Sequence, residues 1–178
     1  NKIWSKLENE QKTAETEFLK HASYQRAIQS ERQAAGVAKL SSVIEFVKNI
    51  MEIEESVVVF CHHKAIHRLL HESLQEFHPS SIIGGQTDKD RQANIDRFQD
   101  GDTKLMIAGL RAGNLGINLT RAKYVIFGEL DWSPAIHRQA EDRLHRIGQK
   151  NTVFAYYLIG NGTLDEHVAN ILVDKSYE

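Results

Sequence analysis

Between residues 57 and 158 the apolar positions keep two rhythms in turn. Short, dense apolar runs at 57–60, 81–83, 104–108, 124–127 and 153–158 are bounded by polar or glycine-containing stretches and predict strands. Several of the intervening segments repeat their apolar residues every three or four positions, which predicts helices. Ile66, Leu69, Leu70 and Leu74 give a helix over 64–77 its inward stripe, and Asp88 is placed to cap a helix over 88–99. Thr163 and Glu166 have the spacing of a capping box at the head of a last helix. A glycine-rich turn with a short helix spans 109–119. Upstream, Leu40, Val43, Ile44, Val47, Ile50 and Met51 form the stripe of a helix ending near Glu54. Residues 1–35 keep only a loose helical rhythm, from Ile3 and Leu7 to Phe18, Ala22 and Ile28. They predict a helical arm that Gly36 interrupts.

Strands alternating with helices predict an α/β domain over residues 36–178, with a mostly parallel central sheet and helices on both faces. In such sheets the working residues gather beyond the carboxyl ends of the strands. Here that means 61–64, 84–87, 109–116, the Asp131-Trp132 pair and the helix that follows it. Charge narrows the partners. The formal net charge is −2, so no global field draws the chain to nucleic acid, and any such contact must be a local patch. A lone cysteine, Cys61, permits no internal disulfide, in keeping with a reducing compartment. No apolar run approaches the ~18 residues of a membrane span and no secretory signal is present, so no membrane partner is expected. Asn1 in first position, where Met would begin a gene product, is expected of a piece of something longer.

Residues 139–149 carry most of the candidate chemistry. Ser133-Pro134 supply an N-cap and a first-turn proline, and Gly148 is placed to end the helix between. At about 100° per residue, Ile136, Ala140, Leu144 and Ile147 fall on one apolar stripe, with Gln139, Arg143 and Arg146 on the face beside it. Two guanidiniums so close repel each other unless an anion sits nearby, and the planar arginine fork matches phosphate oxygens two at a time. With Glu141 and Asp142 as counter-charges, the same face can equally be a solvated basic surface.

The string itself is similar to the sixth motif of the superfamily 2 DNA translocases of SWI/SNF type, Gln-Ala-x-x-Arg-x-His-Arg-x-Gly-Gln. Every fixed position matches from Gln139 to Gln149. Leu110 to Leu119 resembles the fifth motif of that family, whose glycines let backbone amides approach a phosphate or a DNA strand. It departs from the pattern where Gly109-Leu110 replace hydroxyl residues, and Asn114 in place of a glycine resembles the annealing-helicase branch. Val59 to Lys64 resembles the fourth motif in its Phe-x-His-His-Lys form. Gly85-Gln86-Thr87 resembles the Gly-Ser-Thr segment, where Thr87 can donate to a DNA phosphate or simply cap a helix. Asp131-Trp132-Ser133-Pro134 resembles the segment joining the DNA and ATP sites, and Trp132 can also be a half-buried packing residue.

Two further patterns are set aside. His63, His67 and His71 lie four apart, but the segment lacks the glutamate of a zinc-protease helix and no cysteine pair completes a structural site, so no metal site is expected. Asp165-Glu166-His167 imitates a nucleotide-site acid pair, yet it opens a helix instead of ending an apolar strand.

No Gly-x-x-x-x-Gly-Lys-[Ser/Thr] cradle occurs, so the chain has no phosphate loop of its own. The resemblance therefore implies the second RecA-like, three-layer lobe of a double-stranded DNA translocase, lying after an N-terminal helical arm, with the first ATPase lobe elsewhere. It implies that Arg143 and Arg146 are arginine fingers and that Gln139, Gly113, Gly116 and Asn118 belong to the nucleotide cleft. It assigns Lys64, Thr87, Arg111 and Trp132 to DNA contact or coupling. ATP and Mg²⁺ would serve the two-lobe protein, with none bound to this chain alone. The location implied is nuclear, or the cytoplasm and nucleoid of a prokaryote. A degenerate lobe acting as a binding module and the second lobe of an RNA helicase are the alternatives.

Overall fold

The computed structural model describes residues 2–53, 55–111, 119–144 and 152–176. Its contacts divide the chain into two units, Asn1–Ala34 and Ala35–Glu178. The first unit is helical, the greater part of α1 (Lys2–Ala38), with Leu19 and Tyr24 open to solvent. The second unit holds the sheet.

In chain order the second unit contains the end of α1, α2 (Leu40–Glu52), β1 (Val57–Cys61), α3 (Lys64–Ser73), a 3₁₀ turn (Gln75–Phe77), β2 (Ser80–Ile82) and α4 (Asp88–Asp100). There follow β3 (Leu105–Gly109), β4 (Tyr124–Phe127), α5 (Pro134–Asp142), β5 (Phe154–Tyr157) and α6 (Leu164–Ser176). The described strands form one sheet in the order β2-β3-β1-β4-β5, and every pairing is parallel. The alternation of side chains along each strand divides the core in two. Val58, Phe60, Met106, Ala108, Val125 and Phe127 face α4, α5 and α6. Val57, Val59, Cys61, Leu105, Ile107 and Ile126 face α2 and α3. Both faces are covered, which is why β1 and β3 read as unbroken apolar runs.

The adjacent strands β1 and β4 send their following helices to opposite faces, α3 to one and α5 to the other. Such a parting opens a crevice at the carboxyl ends of the two strands. The site described below lies there.

Several expectations need correction. Gly36 does not interrupt α1, which runs through it to Ala38 and breaks at Lys39. The reason for a glycine is close approach. A Cβ at residue 36 would lie 2.7 Å from Glu129 Oε1 and 3.3 Å from Ile66 Cγ1. The predicted helix over 64–77 stops at Ser73, passes into the 3₁₀ turn and ends with His78 in the left-handed region at φ 48°. The cap of α4 is Thr87, not Asp88, since Thr87 Oγ1 accepts from the Asp90 amide at 3.1 Å. The Thr163 capping box is half used. Thr163 Oγ1 accepts from the Asp165 amide, while the Thr163 amide donates to Gly160 O, leaving no role for Glu166 there.

One long-range tie closes the second unit. Lys39 Nζ pairs with the buried Asp165 carboxylate and donates to Leu158 O at 2.7 Å, and Asp165 Oδ2 also accepts from the Gly160 amide. Asp165 is thus a structural ion-pair residue, as its place at a helix head requires.

Gly36→Ala should destabilise the protein although alanine favours a helix by about 1 kcal/mol over glycine. The added methyl presses on a buried, fully engaged carboxylate, and overpacking of that kind costs about 1–3 kcal/mol. Thermal melting checks the sign; a raised midpoint would mean that Glu129 moves aside freely.

Candidate functional site

Four loops meet at the carboxyl end of the sheet. They follow β1 (His62, His63, leading into Lys64), β2 (Ile83, Gly84, Gly85), β3 (Leu110, Arg111) and β4 (Gly128 to Asp131). The first three surround one open cavity of about 390 Å³, with Lys64, Arg91 and Arg111 contributing its cations. Lys64 stands at the first position of α3, and its ammonium approaches the glycine turn, 3.9 Å from where a Cβ of Gly85 would lie. Gly85 itself has φ 101°, a conformation that suits glycine alone. Gly84 and Gly85 are exposed, so the backbone there is open to a ligand.

Two buried carboxylates at the end of β4 organise the loops. Glu129 Oε2 accepts from the amides of His62 and His63, both at 2.8 Å, and Oε1 meets His63 Nδ1 at 2.6 Å. Asp131 Oδ1 accepts from the Ser133 amide at 3.1 Å. Its Oδ2 accepts from Arg111 Nε at 3.3 Å and Nη2 at 3.1 Å. His62 Nδ1 is also 3.3 Å from that oxygen, an ion-pair distance without hydrogen-bond alignment. Burial alone would raise the Asp131 carboxyl, but His62, the Ser133 amide and the Arg111 charge together hold it well below the usual carboxylate range. Cys61 lines the same cavity without being reactive there, because burial, aided by the Glu129 charge, pushes its thiol up.

The histidine face predicted on one helix comes apart. His63 precedes α3 in an extended conformation and turns to Glu129. His67 is buried, with Nε2 at 3.1 Å from both Ile107 O and Ser81 Oγ, and His71 stacks on it. Burial lowers the His67 pKa, the Ile107 carbonyl opposes that shift, and the His71 charge adds to it. Among the described residues no group of His, Cys, Asp and Glu could hold a metal.

The arginine helix is shorter than its periodicity predicts. α5 ends at Asp142, and the Arg143 and Leu144 amides donate to Ala140 O and Glu141 O, three residues back. In this tightened turn residues three apart eclipse. Arg143 is therefore drawn toward the line of the buried Ala140, and its carbonyl accepts from the Leu119 amide at 2.9 Å. Arg143 Nε is buried with no hydrogen-bond partner among the described residues. Gln139 is exposed on α5. Gly113, Gly116, Asn118 and Arg146 lie outside the described residues.

The structure thus gathers Lys64 and Arg111 at one cavity and leaves two other predicted DNA contacts differently engaged. Thr87 Oγ1 spends its only proton on Asp90 Oδ2 at 2.7 Å while capping α4. Trp132 packs against the core, its ring edge-on to His167 at 5.8 Å. Sequence reasoning missed Glu129, and it gives Arg91 only as part of the helix after the Gly-Ser-Thr-like segment, not as a cavity cation. An acid directly after a fully apolar strand was the available sign for Glu129, because such a position is buried and a buried carboxylate must have donors.

A five-stranded parallel sheet with helices covering both faces has the build of a RecA-like α/β lobe. The chain belongs to the helicase conserved C-terminal domain family, whose model matches residues 38–148. Its relatives are of SWI/SNF type. It is 34% identical over 141 residues to the bovine SWI/SNF-related matrix-associated actin-dependent regulator of chromatin subfamily A-like protein 1, covering 78% of this chain and 15% of that protein. It is 36% identical over 144 residues to the human DNA annealing helicase and endonuclease ZRANB3, covering 79% of this chain and 13% of that one. The crystal structure of the C-terminal part of the Fun30 ATPase domain matches with a TM-score of 0.69 and 29% identity, over 75% of this chain and 44% of that one. The chain thus spans about one seventh of the length of these curated relatives. No described helix is long and apolar enough to cross a membrane.

The depressed Asp131 carboxyl fixes a sign for pH dependence. A carboxyl whose folded pKa is below its unfolded value, about 3.9, stabilises fully above that value and loses the contribution as pH falls toward the folded one. Asp131→Asn should therefore melt below the wild type at pH 7, and the gap should shrink as pH drops from about 4 toward 2. A gap that is constant through that range would mean that the carboxylate charge contributes nothing.

Proposed function

We propose that this chain is the second motor lobe of an ATP-dependent double-stranded DNA translocase or remodelling helicase. A first RecA-like lobe of the same protein would hold most of the nucleotide. Arg143 and Arg146 would reach the γ-phosphate, Gln139 with Gly113, Gly116 and Asn118 would complete the cleft, and Lys64 and Arg111 would meet the DNA backbone. The observation that carries the reading is the buried Arg143 Nε without an acceptor among the described residues. A desolvated guanidinium donor with no partner costs stability and is expected where a ligand or another lobe supplies the acceptor.

The chemistry asked of this lobe is electrostatic. Charge spreads over the γ-phosphoryl oxygens in the transition state, and a planar donor held in place beforehand meets it without reordering. Mg²⁺ accompanying ATP would neutralise phosphate charge in the two-lobe protein. The names of the relatives favour a nuclear or nucleoid-associated role on DNA.

In the complete two-lobe protein, replacing Arg143 or Arg146 by Ala should lower single-turnover ATP hydrolysis by about 10³-fold or more, with ATP affinity changed far less. Arg143→Ala should leave the melting temperature unchanged or raise it, since its buried Nε has no partner among the described residues to lose. Arg143→Lys should rescue little, because an ammonium lacks the fork. Hydrolysis within a few-fold of wild type in both folded alanine variants would return these arginines to a solvated face. The 178-residue chain alone should show no DNA-stimulated hydrolysis; robust turnover by it would overturn the two-lobe division.

A further inference from the structure

The proposed function gives Asp131 no task, yet it is among the most constrained polar side chains of the site. Its carboxylate is 2% exposed, whereas the Arg111 side chain it holds is 65% exposed. Arg111 offers Asp131 one edge of its fork, Nε and Nη2. Because the guanidinium is planar and carries five N–H donors, its Nη1 side faces away from that carboxylate. The same Oδ2 lies against His62, two residues before Lys64. One buried oxygen therefore ties together the loops that carry two of the cations lining the cavity.

From this geometry we infer that Asp131 is a positioning residue for DNA: it grips Arg111 by the inner edge and presents the outer edge to a backbone phosphate. The inference rests on the proposed reading of Arg111 as a phosphate ligand. An unheld arginine samples many rotamers and must give them up on meeting a phosphate. Arg111 has given them up already. Its anchor is buried, so the carboxylate is shielded from an approaching phosphodiester while the cation stays open to it. Recognition would be of the phosphodiester backbone, with no preference for base sequence.

The test is a double-mutant cycle in the complete protein carrying this lobe, with Asp131→Asn, Arg111→Ala and the pair, titrated with duplex DNA at several salt concentrations. Each single variant should bind about tenfold more weakly and lose about one unit of salt slope. The double variant should match Arg111→Ala within about twofold, because Asp131 acts through Arg111 alone. DNA half-saturating the ATPase should rise by a similar factor while turnover at saturating DNA holds. Multiplicative losses, or Asp131→Asn binding as tightly as wild type or tighter, would overturn the inference; tighter binding would make Asp131 a competitor for Arg111. Wild-type affinity in Arg111→Ala would instead sink the reading of Arg111 as a phosphate ligand. Should Asp131→Asn fail to fold on melting, Arg111→Lys decides. It keeps the charge but cannot serve two partners with two edges, so it should bind as weakly as Arg111→Ala, and wild-type affinity would overturn the inference.

Discussion

Two carboxylates leave the end of β4 two residues apart, at the boundary where the chain parts to opposite faces of the sheet. Glu129 reaches across to the β1 loop and takes two backbone amides and an imidazole. Asp131 takes the amide that starts α5 and the guanidinium of the β3 loop. Without such ties the crevice would be a meeting of independent loops, each free to drift. With them, three loops share one frame, and one of the cavity's cations, Arg111, is held from behind.

Burying two acids side by side is unfavourable unless donors surround them. Here three of the six hydrogen bonds come from backbone amides, which cannot swing away as side chains do. That choice also explains Gly36. The last turn of α1 comes so close to Glu129 that only a residue without a side chain fits. The residue that breaks the pattern of the first helix is therefore answerable to an acid 93 positions later, a relation that no local rhythm contains.

The alternation of strand and helix was legible in the sequence because each face of the sheet is buried and each helix has an apolar stripe. All five described strands emerge from periodicity alone, with ends off by at most one residue, whereas the helix predicted over 64–77 stops at Ser73 and the one predicted to run to Gly148 ends at Asp142. What stayed hidden was what depends on partners distant in sequence. The periodicity of Ile136, Ala140 and Leu144 is as compatible with a helix running on to Gly148 as with one that tightens at Arg143. The tightening comes with the Leu119 amide claiming the Arg143 carbonyl. Thr87 and Asp88 are both good caps by type, and the choice between them is a matter of backbone angle. The basic cavity was readable as a set of loops, because loops at strand ends converge; Glu129 and Arg91 were not, because their roles lie in contacts.

The tie between Lys39 and Asp165 has a consequence for synthesis. The two residues are 126 positions apart, and a ribosome adding about 5–20 residues per second takes roughly 6–25 seconds to travel between them. Until Leu158 is added, 119 positions on, the ammonium that will be buried beneath Leu158 and Asp165 has neither acceptor. The sheet can begin to assemble from β1, β2 and β3 meanwhile; the seam at Lys39 waits for Leu158 and Asp165. A nascent chain of this lobe thus carries one buried ion pair whose two halves are made seconds apart.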